Sequence, residues 1–326
     1  MNKKRFLLAA LSLLLSLCCV LPAMAAGAAE YPRRQIELVV PYSAGGGTDL
    51  VARAVAGYLS KSWGQPISVI NQSGVIAATR EALNARPDGY TAVVIPFGEL
   101  TTTIAANTKP PFGIDKITFI ARLSKYPVGF TVKGDAPWKN FKEFSDWVVE
   151  DPTRLTWGSG SMSSPAAFIV ADWMNAIGAD FKKARMVSIT GAADSATKVA
   201  GGHITLQIGD ILGAKALADA GKLRVLAVSP YRNDLFPDIP TAEENGVSGL
   251  TFSNGVGLLM PAGVPREIVE KWNGSLEKMY ADPEFLDSLK SINAIAGYMG
   301  SGEYEEFVKE QVQRNTELAE KLGLRK

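Results

Sequence analysis

One loop of the 326-residue sequence combines residue types that suit the binding of an anion. Residues 40–49 read Val-Pro-Tyr-Ser-Ala-Gly-Gly-Gly-Thr-Asp and join a predicted strand to a predicted helix. Three consecutive glycines let the backbone turn tightly, so that its N–H groups point above the strand end, and Thr48 or Asp49 can cap the helix. These donors and the positive end of the helix dipole favour a negative charge. A tight turn that binds nothing is the alternative interpretation.

Two further loops of small residues follow strands later in the chain. Residues 158–161 (Gly-Ser-Gly-Ser) lie between a predicted strand and a predicted helix, and residues 190–193 (Thr-Gly-Ala-Ala) repeat the arrangement. Open α/β sheets bind ligands at the carboxyl ends of their strands. Together the three loops therefore predict a cleft that is rich in hydroxyl and backbone N–H groups.

Catalytic chemistry has little support in these residues. The loop at 40–49 is not a dinucleotide-binding fingerprint, because Leu50 stands where a further glycine is needed, and no Gly-Lys-Ser/Thr of a phosphate-binding loop follows. A catalytic triad or a histidine-bound metal would depend on His203, the only histidine, which lies in a predicted surface turn. Residues 158–161 also lack the Gly-x-Ser-x-Gly spacing of a nucleophile elbow.

Two acidic residues, Asp49 and Asp210, follow predicted strands. They could act as paired carboxylates in acid–base chemistry. The structural alternative is that Asp49 caps the helix or pairs with Arg53 four residues later, and that Asp210 orients a loop. We expect the structural roles, and we predict no catalytic residue, metal site or cofactor.

The N-terminal residues are typical of a secretory signal peptide. Basic residues at 3–5 precede an uncharged apolar run at 6–20 and a small-x-small site, which predicts a signal peptide at residues 1–25. A membrane anchor is the alternative, but it needs about 20 apolar residues. Both cysteines leave with this segment, so we expect a periplasmic mature protein without disulfides.

Charge is balanced along the chain. The sequence has 34 Lys and Arg against 33 Asp and Glu, for a net charge of +1, and shows no long run of one sign. This balance argues against nucleic acid or an anionic membrane surface as a partner.

Short β-branched runs alternate with segments of helical periodicity, a pattern that predicts βαβ units and parallel sheets. Strands are expected at residues 36–40, 67–70, 91–95, 155–158, 186–189, 204–208 and 223–228. Helices are expected at residues 49–63, 76–85, 165–176, 192–200, 265–280 and 304–322.

The length and the linker signals predict two lobes. About 300 mature residues exceed the usual size of one hydrophobic core. Pro, Gly and Asp cluster near residues 126–135 and 238–250, which indicates two crossings between lobes. We predict an α/β fold in which each lobe is a mainly parallel sheet flanked by helices. Residues 30–129 and 243–326 would form lobe 1, and residues 130–242 would form lobe 2.

Short motifs follow one another in a fixed order along the predicted mature chain. They are Pro41-Tyr42-x-Ala44-Gly45-Gly46-x-x-Asp49, Pro87-Asp88-Gly89-Tyr90-Thr91, Pro237-Asp238-Ile239-Pro240-Thr241 and Pro261-Ala262-Gly263-Val264-Pro265. In this order they resemble the extracytoplasmic receptors of tripartite tricarboxylate transporters, also called Bug receptors. The resemblance implies a two-lobed periplasmic-binding-protein fold of type II that closes on its ligand about a hinge.

The resemblance also implies which residues contact the ligand. In these receptors backbone amides, hydroxyl groups and ordered water hold carboxylates, often without a cationic side chain. One carboxylate would be held by Tyr42, Ser43, Ala44, Gly45, Gly46, Thr48 and Asp49. The facing wall would consist of Ser159, Ser161, Thr190, Gly191, Ala192 and Asp210.

The implied ligand is a small organic carboxylate: a di- or tricarboxylate, or an aromatic carboxylate. The implied partners are the integral membrane subunits of a transporter, and we expect a monomer. A receptor that feeds a signalling partner would look the same in sequence. A periplasmic hydrolase, with Ser159 or Ser161 as nucleophile and an essential His203, is the further alternative.

One loop departs from the family pattern. After the second strand these receptors have Asn-x-Pro-Gly-Ala-Gly-Gly, whereas residues 71–78 read Asn-Gln-Ser-Gly-Val-Ile-Ala-Ala. We therefore expect a narrower and more apolar wall beside the cleft, which would alter the choice of ligand more than the fold.

Overall fold

The computed structural model describes residues 31–233, 236–250 and 252–326, apart from the side chain of Leu212. The predicted signal peptide at residues 1–25 and both cysteines lie outside this part of the chain. Among the helices in the described ranges, none has the length and apolar character that a membrane span requires.

The strands belong to one large sheet and two small ones. In chain order they are β1 (Ile36–Val40), β2 (Ile67–Asn71), β3 (Thr91–Pro96), β4 (Ile117–Lys125), β5 (Val128–Lys133), β6 (Thr156–Ser159), β7 (Arg185–Ser188), β8 (Gln207–Gly209), β9 (Leu223–Ser229), β10 (Val256–Pro261) and β11 (Ile295–Met299).

The first lobe contains a six-stranded sheet in the order β11-β4-β10-β3-β1-β2. Strand β1 pairs in parallel with β2 and β3, whereas β10 runs antiparallel to β3 and β4, and β11 antiparallel to β4. The prediction of a mainly parallel sheet is wrong here, since three of the five pairings are antiparallel. None of β4, β10 and β11 was among the expected strands.

The second lobe is also mixed. Strand β5 lies between β8 and β9 and is antiparallel to both, while β6 and β7 form a parallel pair. The predicted mainly parallel sheet is therefore wrong for this lobe too. Strand β5 falls within residues 126–135, where turn residues at the ends of a short strand were interpreted as a linker.

The helices surround these sheets. In chain order they are α1 (Gly47–Trp63), α2 (Val75–Leu83), α3 (Phe97–Ala105), α4 (Phe141–Glu150), α5 (Pro165–Ala176), α6 (Ala192–Ala200), α7 (Lys215–Asp219), α8 (Arg266–Tyr280), α9 (Pro283–Ser291) and α10 (Ser301–Leu322). The bounds predicted for α5 and α6 are confirmed. Helices α3, α4 and α9 were not predicted; of these, α3 is buried on nearly every side.

The two crossings between the lobes run side by side. Only Tyr126 and Pro127 separate β4 from β5. The Tyr126 N–H donates to the carbonyl oxygen of Asn254 at 2.8 Å, and the Asn254 N–H donates back at 3.2 Å. The Asn254 side-chain oxygen also accepts from the N–H of Gly98 at 3.0 Å. Two short adjacent connections of this kind suit a hinge between domains.

Each lobe has its own apolar core, and the predicted boundaries at residues 129/130 and 242/243 stay a prediction. Phe130, Phe141 and Trp173 lie in the core of the second lobe. Val247 and Phe252 pack in the same core, so the packing favours a return to the first lobe later than residue 243.

Helix α10 contacts both lobes. Tyr304 and Val308 pack against the six-stranded sheet, while Leu318 packs in the core of the second lobe. Between them, Arg314 forms an ion pair with Asp172 of α5 at 3.0 Å. The helix therefore connects the lobes in addition to the crossings.

Candidate functional site

The loop between β1 and α1 is built around the carboxylate of Asp49, which is 1 % exposed. Its Oδ2 accepts hydrogen bonds from the Gly45 N–H at 2.8 Å and from Arg53 Nε at 2.9 Å, and its Oδ1 accepts from Asn71 Nδ2 at 2.9 Å. Burial raises the pKa of Asp49, but these hydrogen bonds outweigh it and hold the pKa below the ordinary value. The expected pairing with Arg53 is present, so Asp49 shapes the loop from inside.

The backbone conformation of Gly45 and a contact from Asn71 fix the turn itself. Gly45 has a φ of +84°, in the left-handed region where a side chain is strained. Asn71 Nδ2 also donates to the Tyr42 carbonyl oxygen at 3.1 Å, which holds the start of the loop against the end of β2. Asp49 and Asn71 together therefore set the path of residues 42–45.

The outer surface of the loop carries backbone donors. Ser43, Ala44 and the three glycines are exposed, and Thr48 is half-buried. Helix α1 begins at Gly47 without a side-chain cap, and the N–H groups of Gly46, Gly47 and Thr48 have no acceptor in the described part of the chain. Free donors at a helix N-terminus, together with the helix dipole, make a site that favours an anion.

A cavity of about 150 Å³ lies beside these donors, between the lobes. Residues from both lobes and from the first crossing line it: Gly47, Thr48, Lys125, Tyr126, Asp210 and Asn233. A larger groove of about 750 Å³ runs between α1 and α9, but its lining residues belong to the first lobe alone. We place the site in the smaller cavity because both lobes contribute to it.

Acidic groups surround the tyrosine of the first crossing. Burial raises the pKa of Tyr126, and the nearby carboxylates of Asp210 and Glu99 raise it further. On the same wall, the Lys125 ammonium lies 4.9 Å from the centre of the Tyr231 ring. The cavity is thus lined by one cationic and one acidic side chain, Lys125 and Asp210.

The loop after β6 uses its hydroxyl groups largely within the protein. Ser159 is 1 % exposed; its Oγ donates to the Ser161 carbonyl oxygen at 2.8 Å and contacts Ser164 Oγ at 2.5 Å. Ser164 in turn caps α5 by accepting from the Ala167 N–H. Ser161 is exposed. Ser159 therefore stabilises the loop from inside, whereas Ser161 lies on its surface.

The loop before α6 has the same arrangement as residues 40–49, the glycine loop. The Thr190 N–H donates to Asp194 Oδ2 at 3.0 Å, and Asp194 also pairs with Lys198. The hydrogen bond from Lys198 holds the pKa of Asp194 below its ordinary value, with further help from Thr190. Thr190, Gly191 and Ala192 are exposed at the start of the helix.

The predicted site residues are only partly brought together. Thr48 and Asp210 line the same cavity. The other predicted residues do not line it: Tyr42, Ser43, Ala44, Gly45, Gly46, Asp49, Ser159, Ser161, Thr190, Gly191 and Ala192. No hydrogen bond within the described ranges joins the loops at 158–161 and 190–193 to the glycine loop. The other residues that line the cavity were missed, among them Gly47, Lys125, Tyr126 and Asn233. The linker signal at residues 126–135 could have indicated Tyr126, because a crossing borders the cleft in any two-lobed fold.

The altered loop at residues 71–78 holds Asn71 at the back of the site and exposes an apolar side chain. Asn71 Oδ1 accepts from the Arg53 guanidinium at 2.9 Å, so Asn71 and Arg53 both fix Asp49. Ile76, on α2, is 47 % exposed.

The residues on which a hydrolase would depend, Ser159 or Ser161 with His203, do not line this cavity. His203 is exposed in the turn after α6 and does not line the interlobe cavity. Among the described residues, no group of three or more His, Cys, Asp and Glu side chains could hold a metal ion.

Two α/β lobes with paired crossings and a cavity where they meet define the class of periplasmic solute-binding receptors, and solved structures of that class share this fold. Residues 51–324 match the model of the tripartite tricarboxylate transporter family receptor. The chain belongs to this family, which confirms the resemblance drawn from the motifs.

Individual relatives are similar to this chain in sequence and in structure. The UPF0065 protein in the gbd 5′ region of Cupriavidus necator is 30% identical over 311 residues, which cover 94% of this chain and 92% of that protein. A protein of R. palustris solved with adipate is 25% identical, with a TM-score of 0.77 over 90% of this chain and 99% of that chain. MatC from Rhodopseudomonas palustris with bound malate is 26% identical, with a TM-score of 0.74 over 88% of this chain and 99% of that chain.

Proposed function

We propose that this protein captures a small organic carboxylate between its lobes and delivers it to the membrane subunits of a tripartite tricarboxylate-type transporter. The observation that carries the proposal is the set of N–H groups at Gly46, Gly47 and Thr48, which have no acceptor in the described part of the chain and lie beside the interlobe cavity. The relatives solved with adipate and malate support the ligand class. The family supports the transporter as partner.

The chemistry of the glycine loop favours a carboxylate over a neutral ligand. Backbone N–H groups form charge-assisted hydrogen bonds with a carboxylate, and such bonds are stronger than neutral ones. The dipole of α1 adds to the attraction at its N-terminus. Because Asp49, Arg53 and Asn71 fix the loop, the donors are ordered before the ligand arrives.

The loops of the second lobe complete the site when the lobes close. Ser161, Thr190, Gly191 and Ala192 are exposed at the start of α5 and α6, two further helix N-termini. A ligand shifts the lobes only if it makes contacts in the closed state that the open state lacks. In this proposal the first lobe binds the ligand and the second lobe supplies those additional contacts.

The proposed receptor acts in the periplasm and catalyses no reaction. The predicted signal peptide at residues 1–25 would direct export. His203, on which a hydrolase would depend, is exposed and away from the cavity. The family consists of receptors, which supports the same conclusion.

A thermal-shift screen of di-, tri- and aromatic carboxylates, followed by calorimetry, tests the ligand class. A bound carboxylate at about 100 times its Kd should stabilise the protein by about 2.7 kcal/mol. Stabilisation by a sugar or a simple amine, with none by any carboxylate, would contradict the proposal.

The Gly47→Pro variant tests the role of the loop amides. It removes one N–H at the first position of α1, where proline suits the helix, and the preceding Gly46 already has the extended backbone that proline requires. We expect unchanged folding and at least about a tenfold loss of affinity, the cost of one hydrogen bond to a charged group.

The matched control is Arg266→Pro, at the first position of α8 after the extended Pro265. This substitution removes an equivalent N–H far from the cavity, so affinity should not change. Equal affinity of Gly47→Pro and the wild type would exclude the amide of Gly47 from ligand binding.

A further inference from the structure

Glu99 lies at the edge of the first lobe that faces the second lobe. It is on the first turn of α3, directly after β3. The start of this helix is fixed to the returning crossing, since the Phe97 N–H donates to the Gly255 carbonyl oxygen at 3.0 Å. Strand β3 is the parallel neighbour of β1, so Glu99 and the glycine loop follow the same edge of the sheet.

Tyrosines from two elements of the site lie close to Glu99. Burial raises the pKa of Tyr42, in the glycine loop, and the pKa of Tyr126, in the first crossing; the nearby charge of Glu99 raises both further. The neighbouring Gly98 N–H donates to Asn254, which pairs with Tyr126, so Glu99 lies beside the first crossing, next to the residues that line the cavity but not among them.

The carboxylate of Glu99 has no hydrogen bond or ion pair with any of the described residues. It is also absent from the buried polar atoms that lack a partner, so its oxygen atoms reach solvent. Helix α10, which packs on α3, has three cationic residues, and each has a partner elsewhere. Lys309 pairs with Glu305, Arg314 pairs with Asp172, and Lys321 donates to Asn175. Burial alone raises the pKa of Glu99 to about 7.

Acidic and cationic side chains both lie around Tyr126. The carboxylates of Asp210 and Glu99 both raise the pKa of Tyr126, while the Lys125 ammonium faces the ring of Tyr231. A half-buried carboxylate without a partner is costly, and an approaching cation would offset that cost. A ligand that carries a protonated amine would supply such a cation.

We propose that Glu99 is a specificity-determining residue that pairs with a protonated amine of the ligand. The ligand would then be an amino-carboxylate, with its carboxylate on the loop at Gly46–Gly47 and its amine at Glu99. This inference rests on the proposed function, because it assigns the second polar group of a ligand whose first group the glycine loop holds.

Paired probes test the inference: L-glutamate against glutarate, and L-phenylalanine against 3-phenylpropionate, each titrated by calorimetry at pH 6 and pH 8. In each pair that binds, the amine-bearing member should bind at least about tenfold more tightly at pH 8. An ammonium partner requires ionised Glu99, so the affinity for that member should fall about tenfold from pH 8 to pH 6.

The Glu99→Gln variant should lose at least about tenfold in affinity for the amine-bearing member, together with the pH dependence. Its affinity for the member without the amine should stay within about threefold. Glu99→Asp, which keeps the charge, should retain part of the preference. Glu303→Gln is the matched control, an exposed acid on the first turn of α10, and should behave as the wild type.

Three results separate the possible failures. Tighter binding of glutarate or 3-phenylpropionate, with affinity rising at low pH, would show that neutral Glu99 donates to a carboxylate and would overturn the inference alone. Equal binding of both members by the wild type and Glu99→Gln would also overturn the inference alone. Absence of binding by all probes and by every carboxylate of the screen would overturn the proposed function as well.

Discussion

The loop before α1 and the loop before α6 share one design in two lobes. In each, a loop N–H donates to an aspartate four residues later, Gly45 to Asp49 and Thr190 to Asp194. Each aspartate then pairs with a basic residue on the next helical turn, Arg53 or Lys198.

The two loops differ in how firmly they are held. The Asp49 side chain is 1 % exposed and accepts a further hydrogen bond from Asn71, whereas the Asp194 side chain is 28% exposed. An ion pair is screened more strongly as its exposure rises. We infer that the first lobe presents an ordered anchor and that the second lobe has a loop that can adjust to the ligand. The predictions below separate these roles.

The largest effect is expected for Asp49→Asn. One Asn oxygen cannot accept all three hydrogen bonds, so the free energy of unfolding should fall by about 1–3 kcal/mol and carboxylate affinity by at least about tenfold. Urea unfolding and calorimetry at pH 7 measure both. A variant with wild-type stability and affinity would contradict the anchor role.

The stability difference between the wild type and Asp49→Asn should depend on pH. The pKa of Asp49 is lower in the folded protein than in the unfolded chain, so its contribution to stability is complete above about pH 4 and is lost as pH falls through the folded pKa. The stability difference between wild type and Asp49→Asn should therefore shrink below about pH 4. A constant difference would mean that the carboxylate charge does not stabilise the fold.

An intermediate effect is expected for Gly45→Ala. The positive φ of Gly45 strains any side chain, although an added methyl group would meet no heavy atom within 4 Å, so stability should fall by about 1–2 kcal/mol. Thr190, at the equivalent position of the second loop, does not need a glycine; Thr190→Ala should change stability by less than about 0.5 kcal/mol. Thermal unfolding of both variants measures the contrast, and equal losses would show that the two loops are equally constrained.

The smallest effect is expected for Asp194→Asn. Its ion pair with Lys198 is partly exposed, so the loss of stability should be about 0–1 kcal/mol, and carboxylate affinity should fall by no more than about fivefold. Calorimetry compares this variant with Asp49→Asn. A larger loss for Asp194→Asn would reverse the roles of the lobes.

Side-chain patterns in the sequence predicted several helices but missed α3, α4 and α9. Helix α6 alternates buried Ala196 and Val199 with exposed residues, and its bounds were predicted correctly. Helix α3 is buried nearly all round and was missed. Strand direction could not be predicted either, because side-chain periodicity is the same in parallel and antiparallel strands.

The residues of the candidate site differ in whether a local segment or a long-range strand pairing places them there. The glycine loop is a local feature of one strand–turn–helix segment, so its residues could be recognised in the sequence. Lys125 and Tyr126 reach the cavity only because β10 returns between β3 and β4, where Val256 pairs with Pro96 and Gly257 with Arg122. Such long-range pairing has no signal in the local pattern of residues.

The most direct measurement is a titration followed by amide NMR of protein labelled with ¹⁵N at glycine and threonine. The probe is the carboxylate that stabilises the protein most in the thermal-shift screen. The account predicts that the amide resonances of Gly46, Gly47 and Thr48 shift with the Kd found by calorimetry. Binding that saturates while these three amides stay unchanged, with shifts instead at Gly57 in the groove between α1 and α9, would contradict it.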